Sequence, residues 1–161
     1  MNPLLLLIPI VALFFFRRDS WKIPPAGEPY AALFKQTERQ YRLPPKLLAR
    51  VAYQESRFRP DIITGKTISP AGAVGMMQII PRWHPDAYPL DVPAAIDYAG
   101  SYLRKLYKQF GSWREALAAY NWGPGNLRRA IDAHGAAWSA YAPAETQSYI
   151  ANILTDIPEA A

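Results

Sequence analysis

Glu55 is the carboxylate of this chain whose surroundings best suit proton transfer. It lies in Gln54-Glu55-Ser56-Arg57-Phe58, at the close of an apolar run in which Leu47, Leu48, Val51, Ala52 and Phe58 recur at three- and four-residue spacings. That periodicity predicts a buried helix opening at Pro44-Pro45, where a missing N–H costs least, and stopping before Pro60. Glu55 then sits in its last turn. The helix dipole disfavours an anion there, and apolar neighbours disfavour it further. Both effects raise the pKa, as a general acid requires. The competing reading is a solvated glutamate paired with Arg57 or Arg59, and the Glu-Ser pair alone does not separate the two.

Positioning such a group takes a set of packed helices, and the chain supplies the patterns for them. Tyr30, Leu33, Phe34, Thr37 and Tyr41 mark an amphipathic helix over 29–41. Residues 59–74 read as a loop, 75–81 as a short helix stopped by Pro81, and 83–93 as irregular chain. A long helix follows over 94–110, with Ile96, Leu103, Leu106, Tyr107 and Phe110 inward and Arg104, Lys105 and Lys108 outward. Ser112-Trp113-Arg114-Glu115 is a capping box for a helix ending near Asn121, before Gly123-Pro124-Gly125. Helices over 126–134 and 146–154 complete an all-α domain without strands or repeats.

The 161 residues, half of them hydrophobic, are enough for one domain with its own core. A net charge of +5 points to an anionic partner. The basic residues are scattered in pairs such as Arg17-Arg18 and Arg128-Arg129, with no nucleic-acid-binding arm or motif, so no nucleic-acid partner is expected. With no cysteine, and His84 and His134 far apart in the chain, no metal site or other cofactor is expected. Residues 3–16 form an unbroken apolar run followed by Arg17 and Arg18. As a helix the run would be about 21 Å long, short of a hydrocarbon core of roughly 30 Å. A short membrane anchor over 1–18, with the basic residues snorkelling, is preferred over a signal peptide, which would need a basic start and an Ala-x-Ala-like site. Residues 19–29 then form a Pro-rich linker and 30–157 the domain.

Four local patterns stand in fixed order: Glu55-Ser56-x-Phe58-x-Pro60, Ser69-x-x-Gly72-Ala73-x-Gly75-x-Met77-Gln78, Ala119-Tyr120-Asn121-x-Gly123-Pro124-Gly125, and Glu145-Thr146-x-x-Tyr149. In this the chain resembles the lytic transglycosylase family, whose catalytic domain has a lysozyme-like helical fold. The resemblance runs over about 30–154. It implies cleavage of the β-1,4 bond between N-acetylmuramic acid and N-acetylglucosamine in peptidoglycan, leaving a 1,6-anhydro ring. It also implies roles: Glu55 as the single catalytic acid and base, Ser56 at the helix end, and Ser69 on the muramic acid side. Met77 and Gln78 match a cleft-lining pair, Tyr120 and Asn121 a cleft wall, and Glu145 and Tyr149 a late pair near the acid. Met76, Ala95 and Trp122 depart from the family pattern, Trp122 in a way that would reshape a subsite.

The carboxylate inventory bears on the chemistry. A hydrolytic glycosidase uses two carboxylates, and only Glu55 is a convincing one within the motifs, Asp61 reading as a turn residue. One suffices if the nucleophile is the substrate's own C6 hydroxyl. Two alternatives stay open: a hydrolytic muramidase on the same fold, and a non-catalytic cell-wall-binding or structural membrane protein. For Tyr149, and for Trp113 above all, a core role competes with a place in the site, while Trp83 and Trp138 are further candidate sugar platforms. An enzyme of this kind behind a short anchor suits a virion or a secretion or conjugation machine. Positive charge after the apolar run would place the domain on the cytoplasmic side, which favours the virion.

Overall fold

The computed structural model describes residues 21–157, so the expected anchor and the first part of the expected linker lie outside the described residues. A 3-10 turn, Pro25–Tyr30, leads into α1 (Ala31–Tyr41), α2 (Leu47–Ser56) and the single turn α3 (Pro60–Ile63). After a long irregular stretch come α4 (Val92–Phe110), α5 (Trp113–Trp122) and α6 (Pro124–His134). A second 3-10 segment, Gly135–Tyr141, precedes α7 (Ala144–Leu154). The domain is all-α, as the periodicities require. Among the described residues there is no strand, only one isolated antiparallel bridge between Val74 and Ile79.

The core forms around α5, which packs on α4, α6 and α7, while α1 packs on α4 and α2 on α1 and α7. Small side chains make this possible: Ala116, Ala118 and Ala119 are buried, so three helices approach the α5 backbone. Leu47, Leu48, Val51 and Ala52 of α2 meet the same core as Ile96, Leu103, Leu117 and Ile153. Each large aliphatic side chain buried there contributes about 1.5–3 kcal/mol of transfer free energy. The Glu55 helix is therefore held by its apolar face, with the carboxylate at its far end.

The helix starts have different origins. Asp91 caps α4 by accepting from the Ala94 N–H at 3.0 Å, and Ser112 caps α5 by accepting from the Glu115 N–H at 3.2 Å. The return half of the expected capping box is missing, because Glu115 accepts instead from Trp138 Nε1 at 3.2 Å. At α2, Lys46 stands at φ 69 and the helix has no side-chain cap of its own. Glu38 reaches over from α1 and accepts from the Lys46 N–H at 2.9 Å and the Leu48 N–H at 3.0 Å. Burial pushes the Glu38 carboxyl up, and these backbone bonds oppose the shift. The orphan donors of the Glu55 helix are thus satisfied by another helix.

Two expectations are corrected. The helix expected over 75–81 is a tight turn, closed by Val74 N–H to Ile79 O and Ile79 N–H to Val74 O at 3.0 and 3.1 Å. Met76, Met77 and Ile79 are buried, so an apolar run that reads as helical is a turn pressed into the core. The Pro-rich stretch is not a free linker over its described part. The Trp21 ring lies 6.1 Å from Tyr53 and beneath the Arg50 guanidinium, 5.0 Å from its carbon. The Trp21 N–H donates to Asp156 at 3.1 Å and its carbonyl accepts from Lys46 Nζ at 2.9 Å, while Arg50 pairs with Asp156. A chain beginning at residue 19 should therefore fold with full helicity. One beginning at residue 24 should melt several degrees lower, since it leaves the buried Arg50 without its ring partner. Thermal circular dichroism of the two truncations checks this, and equal melting temperatures would contradict it.

Candidate active site

Glu55 lies in the last turn of α2, and the chain leaves that helix abruptly. Arg57 and Phe58 both take positive φ, 51 and 55. Two successive non-glycine residues there carry strain, which must be held by their surroundings. Ser56 supplies part of the hold: its hydroxyl donates to the Ala52 carbonyl at 3.0 Å and accepts from the Phe58 N–H at 3.2 Å. Phe58 supplies the rest, buried 6.1 Å from the Phe34 ring and 5.8 Å from the Tyr53 ring. This turn carries the backbone away behind Glu55 and leaves its carboxylate free of a following turn of helix.

Tyr149 of α7 meets Glu55. Its hydroxyl donates to Oε1 at 2.6 Å. Burial raises the Glu55 pKa to about 7; the Tyr149 hydrogen bond acts the other way, and the charge of Glu145 adds a smaller upward push. Glu145 is exposed one turn before Tyr149 on the same helix, the i, i+4 relation that puts both on one face. Tyr149 and Tyr120 have their own pKa values pushed well up, by burial first and then by the Glu55 charge, so both keep their protons. A carboxyl titrating near neutrality beside a permanent hydroxyl donor can give a proton and take one back.

The Tyr149 bond makes a pH prediction. It favours the carboxylate, so its removal in Tyr149→Phe should move the Glu55 titration upward. A charge-assisted hydrogen bond of about 1.5–3 kcal/mol corresponds to a rate loss of about tenfold or more when the ionised form is needed. The pH–rate profile should show the lower rate together with an alkaline limb displaced to higher pH. An undisplaced limb would reduce Tyr149 to packing.

Tyr120 of α5 donates its hydroxyl to the Met77 carbonyl at 2.9 Å. It lines a cleft of about 650 Å³ with Ile80, Trp83, Tyr102, Asn121 and Trp122. Gln78, at φ 46, donates to the Gly75 carbonyl at 3.0 Å and lines a narrow recess that Tyr120 and Tyr102 also border. Trp122 lines the same cleft as Tyr120. Asn121 accepts at Oδ1 from Thr146 at 2.7 Å, joining the cleft wall to the start of α7.

Several expected site residues are placed differently. Ser56 is buried with its hydroxyl fully engaged, so it positions the helix end and does not touch the cleft. The Met77 side chain is also buried, and only its carbonyl serves the site, by holding Tyr120. Ser69 closes its own loop, accepting from the Ala73 N–H at 2.9 Å. Trp113, stacked 4.3 Å from Tyr107, and Trp138 are core, which removes Trp138 as a sugar platform; Trp83 is 64% exposed. Asp61 is held by Arg59, at 3.1 and 2.7 Å, and by the Thr67 hydroxyl at 2.8 Å, partners that hold its carboxyl below the usual range. It sits in the single helical turn α3.

Other residues of the cleft had no signal as site residues in the motifs. His84, Tyr98 and Tyr102 form one wall, and the i, i+4 spacing of the two tyrosines on α4 is its sequence trace. Glu38 acts on the site indirectly, through the start of α2, and has no local signature.

The family described as transglycosylase SLT domain matches residues 32–141. The soluble lytic murein transglycosylase of Escherichia coli (strain K12) is 33% identical, over 78% of this chain and 22% of that protein. Membrane-bound lytic murein transglycosylase D of the same strain is 31% identical, over 80% of this chain and 30% of that protein. The crystal structure of the 70 kDa soluble lytic transglycosylase from Escherichia coli superposes with a TM-score of 0.63 at 31% identity, covering 78% of this chain and 23% of that one. An inactive mutant of lytic transglycosylase Slt from Pseudomonas aeruginosa gives 0.64 at 27% identity, covering 79% and 23%. The chain thus spans less than a third of the length of these relatives.

Proposed function

Because the chain belongs to the transglycosylase SLT domain family, we propose that it is a peptidoglycan lytic transglycosylase. It cleaves the β-1,4 bond between N-acetylmuramic acid and N-acetylglucosamine and leaves 1,6-anhydromuramic acid. The observation that carries this reading is Glu55, with its pKa raised to about 7 and Tyr149 donating to Oε1 at 2.6 Å. With its pKa raised to about 7, Glu55 has its protonated form available near neutral pH. Glu55 gives that proton to the glycosidic oxygen as the bond to C1 breaks. The carboxylate left behind, stabilised by Tyr149, then takes the proton of the muramic acid C6 hydroxyl while that oxygen closes on C1. Protons balance over the cycle, and no water is consumed. Holding the sugar so that O6 faces C1 replaces an activated water by an intramolecular nucleophile with a large effective molarity.

Support for this route over hydrolysis comes from the other carboxylates. Asp61 is tied up by Arg59 and Thr67, and Glu145 is exposed. Neither is placed to activate water as the second carboxylate of a hydrolytic glycosidase does. Digestion of purified sacculi should give 1,6-anhydromuropeptides and no new reducing muramic acid ends. Borohydride labelling followed by mass analysis reads this. A muramitol signal rising in step with turbidity loss would establish hydrolysis and make the chain a muramidase.

The reading extends to location. Residues 3–16 act as a short membrane anchor, and the domain works on the bacterial cell wall in the periplasm or from a virion membrane. The apolar run with Arg17, Arg18 and Lys22 behind it supports the anchor, and the same charge order supports the virion over secretion or conjugation. Among the described residues no helix is long and apolar enough to cross a membrane.

A further inference from the structure

The helix pairings gather several chain segments at the end of the domain where Trp21 enters. The Ile153 carbonyl of α7 accepts from Arg50 at 3.0 Å while Tyr149 meets Glu55, so α7 runs antiparallel to α2. Its last turn therefore lies beside the start of α2. Asn121, at the end of α5, bonds Thr146 at the start of α7, and Arg114 shares a groove with Leu154 and Thr155, so α5 is antiparallel to α7 as well. The starts of α2 and α5 and the end of α7 thus share one end of the domain with Trp21. Glu55 lies at the far end of α2.

At the shared end a groove of about 300 Å³ runs along α7, lined by Arg114, Gln147, Ile150, Ala151, Leu154 and Thr155. Its floor is apolar, with Ile150 buried and Leu154 half-buried. Its cation is Arg114, exposed and without a hydrogen bond or ion pair among the described residues. No carboxylate lines the groove. The acids close to it in the chain are occupied, Glu115 by Trp138 and Asp156 by Arg50 and the Trp21 N–H. Two more exposed cations flank the turn before α5: Lys108, in the last turn of α4, and Arg128, 5.0 Å from the Phe110 ring. Asp132, a turn beyond Arg128, makes an ion pair with neither.

An apolar floor under a guanidinium has the two halves that a phospholipid needs. The planar fork of arginine matches a phosphate, and the floor matches the glycerol and first acyl carbons beside it. The chain also brings lipid within reach. Five residues lead from Phe16 to Trp21, a span of at most about 18 Å when fully extended. With residues 3–16 in a bilayer, the end of the domain that bears the groove is held near the headgroups. We propose that this groove faces the membrane, with Arg114 on the phosphate of an anionic phospholipid and Ile150 and Leu154 against its apolar part, leaving Glu55 at the end of α2 further from the lipid. It rests on residues 3–16 being the anchor.

The test is sedimentation of the full chain with vesicles of phosphatidylcholine alone and with vesicles of phosphatidylcholine and phosphatidylglycerol in equal parts. Neutral vesicles read the anchor, and the ratio of the two partition constants reads the charged surface. One cation at an anionic surface is worth about fivefold in that ratio. Arg114→Gln should lower the ratio by about that factor, without changing partition into neutral vesicles, and Arg114→Lys should restore it. Added salt should shrink the ratio. Lys66→Gln, which removes an exposed charge beyond the Glu55 end of α2, should leave it in place. A ratio unchanged by Arg114→Gln would overturn the proposal, and is the result expected if a second copy or residues 158–161 filled the groove. An equal loss in Lys66→Gln would overturn it too, by making the attraction one of net charge alone. If the chain ignores neutral vesicles but binds mixed ones through Arg114, the groove stands and the anchor reading falls.

Discussion

Glu55→Gln is expected to leave a folded domain with wall-degrading activity lower by at least about a thousandfold. The proton donation and the proton abstraction each contribute on the order of a hundredfold or more, and glutamine performs neither. The same variant should change stability in a direction set by linkage. Glu55 has its folded pKa raised from 4.5 to about 7, so the folded state holds the proton more tightly than the unfolded one. Below pH 4.5 both states are protonated and burial of the carboxyl carries no ionisation penalty. As pH rises from 4.5 through 7 the unfolded chain ionises first, and stability falls. Glutamine removes this slope. Melting curves should show Glu55→Gln close to the parent at pH 4 and more stable than it at pH 8. A variant that keeps a tenth of the activity would end the assignment of Glu55 as the acid, whatever its stability.

Gly75→Ala is expected to be the most damaging small substitution in the domain. Gly75 has φ +75, and a Cβ there would lie 2.0 Å from the Pro89 carbonyl oxygen, which is backbone and cannot rotate aside. Positive φ costs a residue with a side chain about 1–2 kcal/mol, and forced overpacking about 1–3 more. A loss of about 2–5 kcal/mol follows, readable as a lower urea midpoint. The turn that would shift carries the Met77 carbonyl to which Tyr120 donates, so activity should fall more than the folded fraction does. A midpoint equal to that of the parent would mean that the segment around Pro89 yields freely.

The helices and their order were accessible from residue patterns because each depends on local spacing, whereas a place for Tyr149 near Glu55 was only what the family resemblance implied. The apolar repeat of 47–58 predicts α2, and i, i+4 spacing puts Glu145 and Tyr149 on one face of α7. What spacing could not provide was any feature that joins distant segments or depends on backbone conformation. The cap of α2 comes from Glu38 on another helix, and the Glu115 carboxylate that a capping box turns backward is claimed by Trp138. Residues 75–81 have helical composition, but Gly75 and Gln78 both adopt positive φ, and the segment folds as a turn. Met77 was assigned to the cleft by motif position, and motif position does not say which way a side chain faces. Family departures also find their reasons here: Ala95 is buried in the core, and Asp91 does the capping at the start of α4.

The contact between Trp21 and Asp156 sets how the domain is connected to anything else. One end of the described chain donates a backbone hydrogen bond to the other, 3.1 Å apart and 135 residues distant in sequence. Entry and exit therefore share a single point of attachment. That point is fastened to Lys46 and Arg50 at the first turn of α2 and just before it, whereas Glu55 lies at the opposite end of the same helix, about 7 Å further along its axis from Arg50. A tether pulling on residue 21 would load the root of the Glu55 helix and not its tip. Such a domain could be spliced into a loop of another protein without its two ends being pulled apart.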